Sequence, residues 1–227
     1  MEEVRKFYSA IRFPGLYSID DLSFYDNELI NPYLKMYDDT VKDSYNVLDV
    51  GCGSGFIVNF LARRHPKIHF DAVDFSDSID YARGFSRTHN IKNITYYKED
   101  FLKWHNTHIY DCVICNGVLH HMPRYVEAVN KIKALSTNKL TVGLYNSYGK
   151  LAKKLFKVAY KNDVLYMDQE QCPFELSFSD SDAQALFNDV YTLKSIYPSC
   201  NGDFVNLMSL FNYKKGGLVV YSWVRKH

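Results

Sequence analysis

Two adjacent histidines and three carboxylates stand where this chain could do chemistry. His120 and His121 lie in Asn116-Gly117-Val118-Leu119-His120-His121-Met122-Pro123, just after a short apolar run. Imidazole titrates near neutrality, so such a ring is suited to take a proton from a hydroxyl or amine as that group attacks. Asp49 precedes Gly51-Cys52-Gly53-Ser54-Gly55. Glycines at alternate positions let the backbone turn sharply and approach a ligand closely, because they carry no Cβ. Asp74, in Ala72-Val73-Asp74-Phe75-Ser76, is followed later by Asp100 in Lys98-Glu99-Asp100-Phe101. An ionised aspartate only accepts hydrogen bonds, so Asp74 is suited to hold the paired hydroxyls of a ribose.

Groups so far apart in sequence need a scaffold that gathers them. Apolar runs predict strands at Asn46–Val50, His69–Asp74, Ile94–Lys98, Asp111–Asn116 and Leu140–Tyr145. Helical periodicity predicts helices at Phe56–Arg64, Ser78–Asn90 and Tyr125–Leu135, then Ser181–Asp189. Two late strands follow, at Tyr191–Tyr197 and Gly217–Val224. The alternation predicts an α/β, Rossmann-like, doubly wound and mainly parallel sheet with helices on both faces. Ligands of such sheets bind at the carboxyl ends of the strands, where all the groups above fall. Residues 1–45 stand outside the scaffold as an aromatic-rich N-terminal cap segment. Residues 146–178 form an insert after the fifth strand, placed to cover a substrate. The whole chain, 1–227, is expected to be one domain.

Composition narrows the class. The chain is 47% hydrophobic, enough for a sizeable core, and its net charge of +1 calls for neither nucleic acid nor an anionic membrane. No apolar run is long enough to span a bilayer and the start lacks a signal-peptide core, so a cytoplasmic protein is expected. Five cysteines, an odd number, argue against a disulfide framework. Cys112 and Cys115 form a Cys-x-x-Cys, but residues three apart on a strand face opposite ways, so small core residues are expected rather than a metal pair.

The wording of the glycine turn separates two cofactor classes. A dinucleotide fingerprint needs a small residue where Phe56 stands. The acid two residues before Gly-x-Gly-x-Gly instead resembles motif I of class I S-adenosylmethionine-dependent methyltransferases. The resemblance implies that S-adenosyl-L-methionine is the cofactor and S-adenosyl-L-homocysteine the product. It implies a cofactor site of Asp49, Gly51, Cys52, Gly53, Gly55, Asp74, Phe75, Ser76, Asp100, Phe101, Asn116 and Val118. Asp100 would meet the adenine amino group, Phe101 the ring, and Asn116 and Val118 the cofactor's flank. It also implies that the two late strands close a seven-stranded sheet as a C-terminal antiparallel hairpin. The Leu119-His120-His121 turn is similar to one in many small-molecule members, where one histidine faces the transferred methyl; His121 is favoured over His120.

The run Gly143-Leu144-Tyr145-Asn146-Ser147-Tyr148-Gly149-Lys150, with Asp168-Gln169-Glu170 and Pro173-Phe174-Glu175, resembles a bacterial subgroup of these enzymes. Lys150 and Glu170 depart from its pattern, which has Arg and Tyr there. Substrate residues are expected among Tyr17, Tyr145, Asn146, Asp168, Gln169 and Glu175. The acceptor is expected to be a small molecule or short peptide, methylated on oxygen or nitrogen. The Asn/Asp-Pro-Pro-aromatic turn of base and amide methylation is absent, and no acid cluster suggests a catalytic metal. The lysine-studded helical pattern at 150–161 suits a solvated face; as an RNA dock it would make the chain a tRNA-modifying enzyme. Two further functions are compatible with the fold: a nicotinamide oxidoreductase, against which Phe56 and Asp100 speak, and a cofactor-binding partner subunit without activity of its own.

Overall fold

The structure is a computed structural model that describes residues 2–11, 13, 15, 17–24, 32–147, 172–197 and 218–226. Three N-terminal helices, α1 (Glu2–Ile11), α2 (Ile19–Phe24) and α3 (Pro32–Val41), precede the first strand. Then come β1 (Asn46–Val50), α4 (Phe56–Arg64), β2 (His69–Asp74), α5 (Ser78–Thr88), β3 (Ile94–Lys98) and β4 (Tyr110–Asn116). A 3-10 turn at Leu119–His121 leads to α6 (Tyr125–Leu135), β5 (Ser136–Tyr145), α7 (Asp180–Ala185), β6 (Tyr191–Tyr197) and β7 (Leu218–Arg225). The seven strands lie in the order β3-β2-β1-β4-β5-β7-β6. All neighbours pair in parallel except at β7, which runs antiparallel to both β5 and β6. The expected doubly wound sheet with a closing antiparallel hairpin is therefore present.

Strand order reverses between β1 and β4, which makes the carboxyl ends of these two strands the crevice of the sheet. Alternation along the strands decides what faces each layer. Val47, Cys112 and Ile114 join a core with Leu34, Tyr37 and Val41 of α3 and Val58, Phe60 and Leu61 of α4. Leu48, Val50, Val113 and Cys115 face a second core with Val129 and Ile132 of α6 and Trp223 of β7. Cys112 and Cys115 thus lie on opposite faces, as strand periodicity requires. By the same period of two, Asp49 shares the α3 face with Val47, and Asn116 shares it with Cys112 and Ile114.

Some boundaries differ from those expected. α5 ends at Thr88, because Asn90 takes a left-handed φ of 56° that stops the helix. α7 is six residues long and starts one residue earlier than expected. Ser179 caps it in a reciprocal box with Asp182. β5 starts at Ser136, directly after α6; its polar Ser136-Thr137-Asn138 gives no apolar signal. Residues 32–41 are not merely cap: Leu34, Tyr37 and Val41 are fully buried in a layer of the sandwich. Among the described residues, no helix is long and apolar enough to cross a membrane, and no metal-ligand cluster is present.

Candidate active site

The glycine turn is held from both sides. The Gly51 and Cys52 amides donate to the Val73 carbonyl at the end of β2. Gly53 donates to Asp74 Oδ2 at 2.8 Å. A Cβ on Gly51 would lie 2.3 Å from Val118 Cγ2, and one on Gly53 would lie 2.6 Å from the Phe13 carbonyl oxygen. The glycines are thus required by close approach of the β4 turn and the N-terminal segment, at positive φ. Ser54 donates to that Phe13 oxygen through both its amide and its hydroxyl, each at 3.1 Å.

Two acids meet this turn, Asp49 and Asp74, and a third, Asp100, follows β3 at the same end of the sheet; the three are in different states. Asp49 is 3% exposed, and no described residue donates a hydrogen bond to its carboxylate. Burial, then the neighbouring charge of Asp74, pushes its pKa up to about 7. Asp74 is buried too, but its Oδ1 accepts from the Ser76 amide (2.8 Å) and hydroxyl (2.6 Å). Burial raises its pKa and these bonds offset part of that rise. Phe75 beside it is half-buried. Asp100 is half-buried and accepts from the Leu102 amide at 3.0 Å. Phe101 is buried in the α6 layer under the Lys131 ammonium, 4.8 Å from its ring centroid, and offers a ligand little of its face. Cys52 is buried within the turn. The set can answer a cation through the dry, uncompensated carboxylate of Asp49, while Asp74, which already accepts from Gly53 and twice from Ser76, keeps about one acceptor site.

The two histidines have opposite tautomers. His121 Nδ1 lies 2.9 Å from the Phe174 carbonyl, which only accepts, so Nδ1 carries the hydrogen and Nε2 holds the lone pair. His120 Nδ1 accepts the Tyr145 amide at 3.3 Å, which places its hydrogen on Nε2. His120 also stacks on the Tyr145 ring at 3.8 Å and is fully buried. The lone pair therefore sits on Nε2 in His121 and on Nδ1 in His120, where the Tyr145 amide takes it. Tyr8 of α1 and Tyr145 present ring edges to His121 at 5.4 and 5.6 Å. α1 is tied to the start of α5 by Ser9, which accepts from the Asp77 amide, and by the Tyr8 carbonyl, which accepts from Ser78.

The returning leg of the insert walls this corner. Leu176 donates to the His120 carbonyl at 2.7 Å, and Phe178 pairs with the end of β5. Cys172 Sγ stands 3.3 Å from His121 Nδ1 and donates to the Phe174 carbonyl at 3.4 Å. Sequence reasoning missed this thiol; Pro173 and Glu175 beside it were the only signal. Cys172 is half-exposed, whereas Cys112 and Cys115 are buried, with the Cys112 thiol pushed up to about 12 by burial. Iodoacetamide at neutral pH is expected to modify Cys172 about 10-fold or more faster than Cys112 and Cys115, read by peptide mass spectrometry. Equal rates at the three would contradict this arrangement.

Two expected substrate residues are engaged by other parts of the fold. The Tyr17 hydroxyl donates to the Ser54 carbonyl at 2.9 Å and accepts from Asn59 at 2.9 Å. Its ring packs on Phe56, Tyr81 and Phe85. It braces the back of the glycine turn. Asn146 is 2% exposed and donates to Asp180 at 2.9 Å, so it anchors α7. Tyr145 and the half-buried Glu175 remain at the histidine corner or on its wall. Asp168, Gln169 and the 150–161 lysine pattern lie outside the described residues.

Residues 41–200 match the family model described as a methyltransferase domain. The chain is 28% identical over 124 residues to a malonyl-[acyl-carrier protein] O-methyltransferase of Bacillus cereus, covering 54% of this chain and 44% of that protein. It is 26% identical over 119 residues to (S)-coclaurine N-methyltransferase of Papaver somniferum, covering 52% and 34%. The chain thus spans less than half the length of these curated relatives. Among solved structures, the N-methyltransferase NodS of Bradyrhizobium japonicum superposes with a TM-score of 0.63 at 11% identity, covering 99% of this chain and 100% of that one. The plantazolicin methyltransferase BpumL does so with 0.63 at 16%, covering 100% and 97%. These two likenesses establish the fold. With its glycine turn, paired acids and histidine corner on that fold, the chain belongs to the methyltransferase-domain family.

Proposed function

We propose that this protein transfers a methyl group from S-adenosylmethionine to an oxygen or nitrogen of a small molecule or short peptide. One observation carries the reading: a dry, uncompensated carboxylate, Asp49, at the glycine turn in the switch crevice. Asp49 would face the cofactor's positive charge, Asp74 its ribose, and Asp100 its adenine. Asn116 and Val118 would flank it. The cofactor supplies an activated methyl on a sulfonium that leaves as a neutral thioether. The protein's part is to orient the acceptor and exclude water, which can lower the barrier by several kcal/mol. His121 Nε2 then takes the acceptor's proton. That role favours a hydroxyl or amine over a carboxylate, which has no proton to lose at neutral pH.

The cap and the insert take part as well. α1, through Tyr8, and the returning leg 172–178 cover His121, which is only 3% exposed. An acceptor would enter by displacing that cover. A reducing, cytoplasmic compartment suits the four described cysteines, none of them bridged.

Calorimetric titration with S-adenosylhomocysteine, with NAD as control, tests the reading. A dissociation constant on the order of micromolar is expected for the first and no heat for the second. Binding of NAD alone would make the chain an oxidoreductase, and binding of neither would remove the enzyme reading.

A further inference from the structure

We propose that Tyr37, inside the α3 layer, is a positioning residue for the cofactor: it fixes the Asn116 amide so that one hydrogen of the amide nitrogen is left for the ligand. The proposal rests on the reading that Asn116 flanks the cofactor. Tyr37 is fully buried, and its hydroxyl donates to Asn116 Oδ1 at 2.7 Å. Phenylalanine would fill the same space among Val41, Val47 and Cys112 without a phenol hydroxyl to desolvate. The hydroxyl is therefore explained by its partner and not by packing. Asn116 itself is half-buried at the crevice end of β4, where a ligand could reach it.

A second element yields to the same oxygen. Gly143 lies inside β5, where glycine weakens a strand. A Cβ there would stand 2.1 Å from Asn116 Oδ1. The Gly143 carbonyl accepts the Gly117 amide at 3.0 Å and so holds the turn that follows Asn116. α3, β4 and β5 are thus all shaped around one amide oxygen. With Oδ1 committed to Tyr37, the Nδ2 hydrogens point elsewhere. Tyr33, one turn earlier in α3 with its ring 5.2 Å from that of Tyr37, hydrogen-bonds both Tyr37 and the Asn116 side chain, so it takes one Nδ2 hydrogen and the other is left. Asp49 carries an acceptor-only carboxylate on the same face, and the amide nitrogen is a donor. Together they suit a zwitterionic amino-acid group, the ammonium toward Asp49 and the carboxylate toward Asn116.

The test uses the full chain, S-adenosylhomocysteine as the probe, and calorimetry. Asn116→Ala is expected to weaken binding about 10-fold or more, and Tyr37→Phe about 5-fold. The double variant should bind no more weakly than Asn116→Ala, because Tyr37 acts through that amide. Gly143→Ala, which displaces the same oxygen from β5, should likewise cost affinity only when Asn116 is present. If Tyr37→Phe and Gly143→Ala both bind like wild type while Asn116→Ala does not, the proposal is overturned and Asn116 remains a cofactor residue. Losses that multiply in the double variant also overturn it. If Asn116→Ala binds like wild type, the reading beneath the proposal fails instead.

Discussion

Asp49→Asn is expected to raise the melting temperature of the ligand-free protein at pH 8 and to weaken S-adenosylhomocysteine binding about 100-fold. Both effects follow from one buried carboxylate. Its pKa is near 7 in the folded protein against an ordinary value of 3.8. Between these values the folded state holds a proton that the unfolded chain has released. The contribution of Asp49 to stability is therefore full below about pH 4 and is lost as pH rises through about 7. A shift of this size corresponds to at most about 4 kcal/mol, and part of it depends on the charge of Asp74. The neutral amide has no charge to desolvate, so recovery of about 1–2 kcal/mol at pH 8, or about 3–6 °C, is a moderate expectation. The same amide can accept from an ammonium but brings no charge to it.

Wild-type binding should also release protons near pH 6.5, because a bound cation holds Asp49 ionised. Titrations in two buffers of different ionisation enthalpy measure that release. Affinity should rise with pH up to about 7 and then level. A variant as unstable at pH 8 as wild type would show that Asp49 does not cost stability there, and one that still binds tightly would show that it does not hold the ligand's cation.

The parts of the site that were legible in the sequence are those set by short-range rules. Val47-Leu48-Asp49-Val50 reads as a strand because a parallel strand buried on both faces is a continuous apolar run. The turn after such a strand lies at the crevice, so Asp49, Asp74 and Asn116 could be placed without a structure. The partners of Tyr17 and Asn146 were hidden because they are remote in sequence. The Tyr17 hydroxyl answers Ser54 and Asn59, 37 and 42 residues away, and the Asn146 amide answers Asp180. A polar group on a loop looks free to meet substrate until its tertiary partner is seen. Tyr33 and Tyr37 were hidden differently. Four residues apart on a helix, they look like ordinary packing, and nothing local shows that Tyr37 ends on an asparagine 79 residues away.

His121→Gln should lower methyl transfer about 100- to 10,000-fold while leaving S-adenosylhomocysteine affinity within about 2-fold of wild type. Glutamine keeps a donor that can still reach toward the Phe174 carbonyl, so the corner keeps its shape and loses its base. His120→Gln should behave differently. Its Nδ1 is the acceptor for the Tyr145 amide and its ring lies on Tyr145, so its loss should appear first as a lower melting temperature. The measurement is label transfer from methyl-labelled S-adenosylmethionine to the first acceptor that gives product, followed as a function of pH. In wild type the rate should rise with pH as the base loses its proton, and in His121→Gln that limb should vanish. If the pH limb survives in His121→Gln and disappears in His120→Gln, the tautomers set by Phe174 and Tyr145 do not decide the base. If both variants turn over like wild type, the acceptor arrives without a proton to lose, and a carboxylate becomes the group methylated.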